Sequence, residues 1–164
     1  MANEIYDMSW NEVKEGARNI ISKIKESNIK IDTLVPILRG GAPLGNILSS
    51  NMKDTDIAYI HIRRSTSDEI NASLGTPVLK GVTNVEKITG KNILIVDDML
   101  DRGVTMEFAI KELEKLKPLS VHVAVLYDFS EFKNKDIIIT GLCMENKKWI
   151  IFPWEKEILS NLWW

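Results

Sequence analysis

Three carboxylates lie close together at the end of an apolar run in the segment 93–105, which reads ILIVDDMLDRGVT. Asp97 and Asp98 are adjacent, and Asp101 follows three residues later. Carboxylate oxygens accept hydrogen bonds from sugar hydroxyls and are preferred ligands of Mg²⁺. Because successive strand side chains point to opposite faces, we expect one of the pair to accept from a sugar diol and the other to face a metal ion or a basic partner. The alternative is an acidic turn that caps the following helix.

The residues that follow the acidic pair combine backbone N–H groups, a guanidinium and a hydroxyl at the start of a predicted helix. They are Asp101, Arg102, Gly103, Val104 and Thr105. A helix N-terminus binds anions through its unpaired N–H groups and its dipole, so a phosphate monoester is the ligand we expect. A D-x-G-x-T stretch alone is a weak signal, but after an apolar strand and two carboxylates it becomes specific.

A second candidate loop, Arg39-Gly40-Gly41, follows the apolar run 33–38. Glycine permits close approach of a ligand to the backbone, and the arginine adds a positive charge. This combination is what a pyrophosphate group needs. The alternative interpretation is an ordinary turn.

Alternating strands and helices must position these loops. Helices are predicted after the capping box of Ser9 and Glu12, then over 42–51 and 104–117, and a short C-terminal helix is predicted after Trp154. Strands are predicted over 33–38, 57–62, 120–127 and 137–144, and over the apolar run that begins at Ile93 and ends at the acidic pair. This alternation predicts an α/β fold with a Rossmann-like central parallel sheet flanked by helices. Ligands then bind at the carboxyl ends of the strands, where we expect Arg39, Arg64, Asp97 and Asp128 to converge.

Two stretches depart from regular alternation. Pro36 lies inside the strand 33–38, so this strand should be irregular there or lie near an edge. The stretch 65–89 has little periodicity, and a loop of this length inside a domain is usually functional or disordered. Within it, 76–79 and 81–85 are candidates for a β-excursion.

Composition excludes several classes of function. A net charge of −2 over 164 residues provides no electrostatic case for binding nucleic acid or an anionic membrane. The N-terminus lacks the features of a signal peptide, and no apolar run reaches the ~20 residues that a bilayer requires. One cysteine, Cys143, cannot form an internal disulfide, so we expect a cytoplasmic protein and an inert, buried thiol. The length predicts one domain over 1–164.

The segment 93–105 resembles the PRPP signature of the type I phosphoribosyltransferases. Leu38-Arg39-Gly40-Gly41 is similar to the pyrophosphate loop of that family. The run 149–155 (WIIFPWE) resembles the C-terminal hood of the xanthine-guanine phosphoribosyltransferases. The order and spacing of these parts agree from Tyr6 to Glu155.

The resemblance implies transfer of a 5-phosphoribosyl group from PRPP to a nucleobase, with Mg²⁺ as cofactor and pyrophosphate as the leaving group. It implies a core over about 9–143, a hood over about 144–164, and a mobile loop over about 65–89 that closes over the reaction. We also expect a homo-oligomer, a dimer or a tetramer. The implied roles are ribose binding by Asp97 and Asp98, with Asp98 at the metal; 5′-phosphate binding by residues 101–105; pyrophosphate binding by Arg39, Gly40 and Arg64; and base binding by Asp128, Trp149 and Ile150.

Asp101 matches the aspartate that purine enzymes of this family place near N7 of the base, where it accepts a proton or acts electrostatically. Adenine-type members usually have alanine there, so Asp101 favours a 6-oxopurine. Members that accept 6-oxopurines, however, carry a lysine where this sequence has Asp128 or Phe129. A carboxylate suits an amino group or a ring N–H instead, or Asp128 only caps a loop.

Other departures concern the two loops. Arg102 and Val104 replace the commoner threonine and glycine, and the stretch 65–89 is longer than in the bacterial xanthine-guanine enzymes. Two alternatives to purine transfer therefore stay open. One is transfer to another base, and the other is a regulator that senses PRPP or a nucleotide on the same fold.

Overall fold

A seven-stranded sheet forms the centre of the computed structural model, which describes residues 4–64 and 75–156. The strand order is β10-β8-β6-β2-β4-β5, and β3 also pairs with β2. The strands of this sheet are β2 (Thr33–Leu38), β3 (Asp56–Ile57), β4 (Ile60–Arg63), β5 (Val78–Val82), β6 (Asn92–Val96), β8 (Ser120–Val125) and β10 (Ile138–Thr140). Their pairing is parallel except for β5, which is antiparallel to β4 at one edge.

Within the described residues, three α-helices cover the sheet: α1 (Trp10–Glu26), α2 (Gly41–Asn51) and α3 (Val104–Glu114). Single turns of 3₁₀ helix lie at Val85–Lys87 and Lys135–Ile137. The predicted capping box is present, because the Glu12 N–H donates to Ser9 Oγ and the Ser9 N–H donates to the Glu12 carboxylate. The helix predicted over 104–117 ends at Glu114, where the bonding becomes that of a tight turn: the Leu116 and Lys117 N–H groups donate to the carbonyls three residues before them. The predicted α/β class is confirmed.

Strand β6 is buried on both faces, as its unbroken apolar sequence predicts. Leu94 and Val96 pack in the cluster that contains the apolar face of α1 and α2. Ile93 and Ile95 pack in the cluster that contains the inner face of α3. The segment that carries the acidic pair is therefore held rigidly at the centre of the sheet.

Pro36 does not lie at an edge, because β2 lies between β6 and β4. The irregularity that we predicted there is present. On one side Pro36 is opposite Val96 of β6. On the other side the pairing is split between β3 and β4, and residues 58–59 separate these two strands. The missing N–H of proline is thereby accommodated in an interior strand.

A separate two-stranded sheet joins the two ends of the described chain. Strand β1 (Ile5–Asp7) pairs in parallel with β11 (Trp149–Ile151), with Tyr6 opposite Ile150. The sequence did not indicate β1, because three residues are too few for an alternating pattern. Another short pair, β7 (Met99–Leu100) and β9 (Tyr127–Asp128), extends from the carboxyl ends of β6 and β8.

Several sequence-based predictions concern single residues. Cys143 is exposed, so the prediction of a buried thiol is wrong. The rings of Phe152 and Trp154 stack with centroids 4.8 Å apart, so both serve packing. The β-excursion predicted within the stretch 65–89 is present as β5, whereas residues 65–74 and the predicted C-terminal helix lie outside the described residues. In the described ranges, no helix has the length and apolar character needed to cross a membrane.

Candidate active site

The acidic pair lies directly after β6, at the carboxyl end of the sheet. Both side chains are partly buried. The Asp98 N–H donates to Asp97 Oδ1 at 3.0 Å, and the Met99 N–H donates to Asp98 Oδ1 at 2.7 Å. These bonds turn the chain sharply and fix both carboxylates with respect to the backbone.

Burial gives the acidic pair unusual acidities. Desolvation raises the pKa of Asp97 well above its ordinary value, and the charge of Asp98 raises it further. Desolvation also raises the pKa of Asp98 to about 7, with a smaller contribution from the negative charge of Glu155. Two neighbouring carboxylates that resist ionisation form a place where a cation is favourable.

The loop at 39–41 lies against the acidic pair. A Cβ atom added to Gly40 would lie 2.3 Å from Asp98 Oδ2, and one added to Gly41 would lie 2.2 Å from the carbonyl oxygen of Val96. Because a Cβ does not fit at either position, only glycine allows this loop to approach the carboxylates so closely. The peptide bond between Leu38 and Arg39, just before the two glycines, is cis. Two motifs that are 57 residues apart in the sequence (Gly40 and Asp97) thus form one surface.

The predicted phosphate loop occupies the N-terminus of α3. Gly103 is the N-cap of this helix and has a φ of 81°, a conformation that favours glycine. It is buried, and a Cβ there would lie 3.3 Å from the ring of Phe132. The loop after β9 therefore packs against the predicted phosphate loop through Phe132. Arg102 and Val104, on either side of Gly103, are exposed.

Arg64, at the end of β4, lies beside the phosphate loop. Its Nη1 donates to the Thr105 hydroxyl at 3.4 Å, and its Nε donates to the carbonyl oxygen of Gly75 at 3.2 Å. Burial and the charge of Arg102 lower the pKa of Arg64 from its ordinary value. Two guanidinium groups thus approach the same helix N-terminus, which strengthens its attraction for an anion. The assignment of Arg64 to pyrophosphate stays a prediction.

Asp101 forms an ion pair that the sequence did not indicate. Its Oδ1 accepts a hydrogen bond from Lys147 Nζ, and its Oδ2 lies 4.0 Å from Arg102 Nε. Lys147 lies in the segment between β10 and β11, two residues before Trp149. The sequence did not indicate this contact, because the partners are 46 positions apart and no local pattern marks Lys147.

Asp128 is engaged within its own loop. Its Oδ1 accepts from the Ser130 N–H at 2.9 Å and from the Ser130 hydroxyl at 2.6 Å, and its Oδ2 accepts from Lys135 Nζ at 2.5 Å. These bonds lower the pKa of Asp128 even though burial opposes them. The arrangement agrees with the loop-capping alternative. Its assignment to base binding stays a prediction.

The hood presents one exposed aromatic ring and one oriented peptide. Trp149 is 37% exposed, whereas Ile150 is buried. The Trp149 N–H donates to the carbonyl oxygen of Glu4, and the Ile151 carbonyl accepts from the Met8 N–H. Because alternate residues of a parallel strand bond to its partner, the N–H and C=O of Ile150 point away from β1. Ile150 can therefore contact a ligand only through its backbone.

A cavity of the protein lies far from the acidic pair. A cavity of about 510 Å³ lies at the end of α3 and the start of β8, and Lys117, Leu119 and Ser120 are among its lining residues. This is the end of the parallel strands opposite to the acidic pair. In a parallel sheet ligands usually bind at the carboxyl ends of the strands, so the acidic pair and its neighbouring loops are the candidate site.

The chain is similar in sequence to known proteins. A family model described as the phosphoribosyl transferase domain matches residues 8–161. The xanthine-guanine phosphoribosyltransferase of Idiomarina loihiensis is 25% identical over 157 residues, which cover 96% of this chain and 91% of that protein. The transcriptional regulator GfcR of Methanocella arvoryzae is 31% identical over 107 residues, which cover 64% of this chain and 50% of the regulator.

A solved structure has the same fold along nearly its whole length. The purine phosphoribosyltransferase from Pyrococcus horikoshii has a TM-score of 0.73 at 24% identity, with 93% of this chain and 95% of that chain covered. The family match includes the acidic pair, the loop at 39–41 and the helix start at 103. The chain therefore belongs to the phosphoribosyltransferase family, as the resemblance in its sequence predicted.

Proposed function

We propose that the protein transfers the 5-phosphoribosyl group of PRPP to a purine base, forming a nucleoside monophosphate and releasing pyrophosphate. The observation that carries this proposal is the packing of Gly40 against Asp98. It joins a loop suited to pyrophosphate to carboxylates suited to ribose hydroxyls. The helix N-terminus at Gly103 then lies five residues beyond Asp98, where the 5′-phosphate of the same sugar would bind.

The donor half of the reaction follows from charge. As the bond between C1′ and the pyrophosphate oxygen breaks, the sugar becomes oxocarbenium-like and the leaving group keeps the electron pair. Asp97 and Asp98 hold the hydroxyls next to this developing positive charge and stabilise it electrostatically. Arg39 and the peptides of Gly40 and Gly41 hold the leaving pyrophosphate. A ring nitrogen of the base then forms the new bond to C1′.

The residues present fit a bound Mg²⁺. Mg²⁺ is usually held by one or two carboxylates, several waters and substrate phosphate oxygens, rather than by an all-protein cage. Within residues 4–64 and 75–156 there is no group of three or more histidine, cysteine, aspartate or glutamate side chains that could hold a metal by themselves. Asp98, with a carboxylate that is costly to ionise alone, is the ligand we assign. When bound, the ion supplies positive charge to the acidic pair and to the pyrophosphate.

The acceptor half uses the hood and Asp101. We assign the exposed indole of Trp149 to one face of the base and the outward peptide of Ile150 to its edge. Asp101 takes the proton or stabilises positive charge at N7 as the base becomes the nucleophile. The xanthine-guanine relative, of which 91% is covered, supports a purine as the acceptor.

One experiment tests the reaction as a whole. Purified protein is incubated with PRPP and Mg²⁺, and pyrophosphate release is measured over a panel of purine and pyrimidine bases. Release with a purine supports the proposal, and release only with a pyrimidine would replace purine by another base. PRPP binding without turnover on any base would favour the sensing regulator, which the likeness to GfcR keeps as the second candidate.

A substitution tests the role of Asp101. Asp101→Asn keeps an oxygen that accepts from Lys147 but removes the carboxylate, so turnover should fall by about 10²- to 10⁴-fold, as for a lost acid–base group. The dissociation constant for PRPP should stay within about twofold of the wild-type value, because the substitution changes only an exposed charge and leaves the other donor-site residues in place. Asp136→Asn, at an exposed aspartate outside the site, is the matched control. Wild-type turnover in Asp101→Asn would remove Asp101 from this role.

A further inference from the structure

Lys147 places a positive charge where the acceptor base would bind. Its ammonium group donates to Asp101 Oδ1, and the two side chains are 48% and 37% exposed. An ammonium group has three N–H donors, and the bond to Asp101 uses one of them. The pair therefore presents an acceptor and a donor, side by side, to a ligand that arrives from solvent.

Lys135, whose partner Asp128 was a candidate for base binding, has its donors occupied. Lys135 Nζ bonds to Asp128 Oδ2 at 2.5 Å, to the Ser130 carbonyl oxygen at 2.6 Å, and to Ser130 Oγ at 3.3 Å. These three acceptors match its three donors. Asp128 and Lys135 thus neutralise each other inside the loop after β9. Of these two lysines, Lys147 is the one with donors left for a ligand.

The chemistry of a purine edge determines what Lys147 would recognise. N7 and the substituent at position 6 lie next to each other on one edge of the ring. A 6-oxo group accepts hydrogen bonds, whereas a 6-amino group donates them. With N7 beside Asp101, a cation paired to Asp101 lies next to position 6. It donates to an oxo group and opposes an amino group.

We infer that Lys147 is the residue that selects a 6-oxopurine over a 6-aminopurine in this protein. The inference rests on the proposed function, because that function puts N7 beside Asp101. It assigns substrate discrimination to the segment between β10 and β11, instead of to the end of β8 and β9 where Asp128 lies. Lys147 thereby provides the donor to the base and Asp128 holds a loop.

Direct binding of two products tests this inference. IMP and AMP differ in the group at position 6, and their dissociation constants are measured calorimetrically for the wild type, Lys147→Ala and Lys147→Arg. Lys147→Ala should raise the dissociation constant of IMP by about 10- to 100-fold, which is the range for one lost hydrogen bond to a charged group. It should raise the dissociation constant of AMP by less than about threefold. Lys147→Arg, which keeps the charge and the donors, should restore most of the preference.

The neighbouring lysine provides the control. Lys148 pairs with Glu4 at 3.1 Å, so Lys148→Ala should leave both dissociation constants unchanged. Equal weakening of IMP and AMP by Lys147→Ala would show that Lys147 only holds Asp101 in place, and would overturn the inference. An unchanged preference, or no binding of IMP by the wild type, would overturn it as well.

The proposed function fails by a different result. If the wild type releases no pyrophosphate with any purine, the transfer reaction is refuted by the assay of the whole reaction. If the wild type turns over 6-oxopurines and Lys147→Ala keeps the preference for IMP, only the role of Lys147 is refuted. The binding measurement does not depend on turnover, so the two failures are distinguishable.

Discussion

Gly40→Ala tests whether the contact between the loop at 39–41 and the acidic pair is needed for the donor site. The new Cβ would lie 2.3 Å from Asp98 Oδ2, whereas real Cβ contacts begin at about 3.0 Å, so one partner must move by at least about 0.7 Å. Gly40 has φ −57° and ψ −40°, which alanine adopts without strain. The substitution therefore acts through this contact and not through the backbone conformation.

Two magnitudes follow for Gly40→Ala. Overpacking of this kind costs about 1–3 kcal/mol of the free energy of unfolding. A misplacement approaching 1 Å in a catalytic site costs about 10²-fold in rate, so kcat/KM for PRPP should fall by between 10- and 100-fold. The affinity for PRPP should weaken with it, because both the pyrophosphate loop and the ribose carboxylates are displaced.

The assay for Gly40→Ala combines three measurements: the dissociation constant for PRPP with Mg²⁺, kcat/KM for PRPP, and urea unfolding. Gly81→Ala is the matched control, since a Cβ at Gly81 in β5 would have no neighbour within 4 Å. The control should match the wild type in all three. If Gly40→Ala bound PRPP as tightly as Gly81→Ala, the reasoning that joins the two motifs into one donor site would be refuted.

Three further predictions concern acidity, backbone and capping. Asp98 has its pKa raised from 3.8 to about 7, so ionising it costs the folded state up to about 4 kcal/mol, and this cost appears as the pH rises from 4 to above 7. In metal-free buffer, Asp98→Asn should therefore have a larger free energy of unfolding than the wild type at pH 8, whereas at pH 4 the two proteins should differ little. A difference of the same size at both pH values would contradict the raised pKa of Asp98. Gly103→Ala places alanine at φ 81° and against Phe132, so it should cost about 1–2 kcal/mol of unfolding free energy and weaken PRPP binding, and calorimetry that finds neither change would reject the assigned helix start. Ser9→Ala removes the capping box with Glu12 and should lower the free energy of unfolding by about 1 kcal/mol in urea denaturation without changing the affinity for PRPP.

Local sequence determined much of the fold. The apolar run before Asp97 is continuous because β6 is buried on both faces, so a strand at the centre of the sheet was predictable. The start of α1 was predictable from Ser9 and Glu12, whose bonds connect residues only three positions apart. Candidate donor-site residues could be named for the same reason, since each loop directly follows its strand.

Tertiary structure decided which residues meet. Lys147 and Asp101 are 46 positions apart, and Gly40 and Asp98 are 58 apart, so no local periodicity records either contact. The exposure of Cys143 and the engagement of Asp128 by Lys135 likewise depend on how loops pack, and loops carry no repeating pattern. The sequence by itself determined the strands, the helices and the chemistry available at their ends. Only the packing of the hood segment against the strand ends decided that Asp101 has a lysine beside it, because that contact joins two segments that are distant in the sequence.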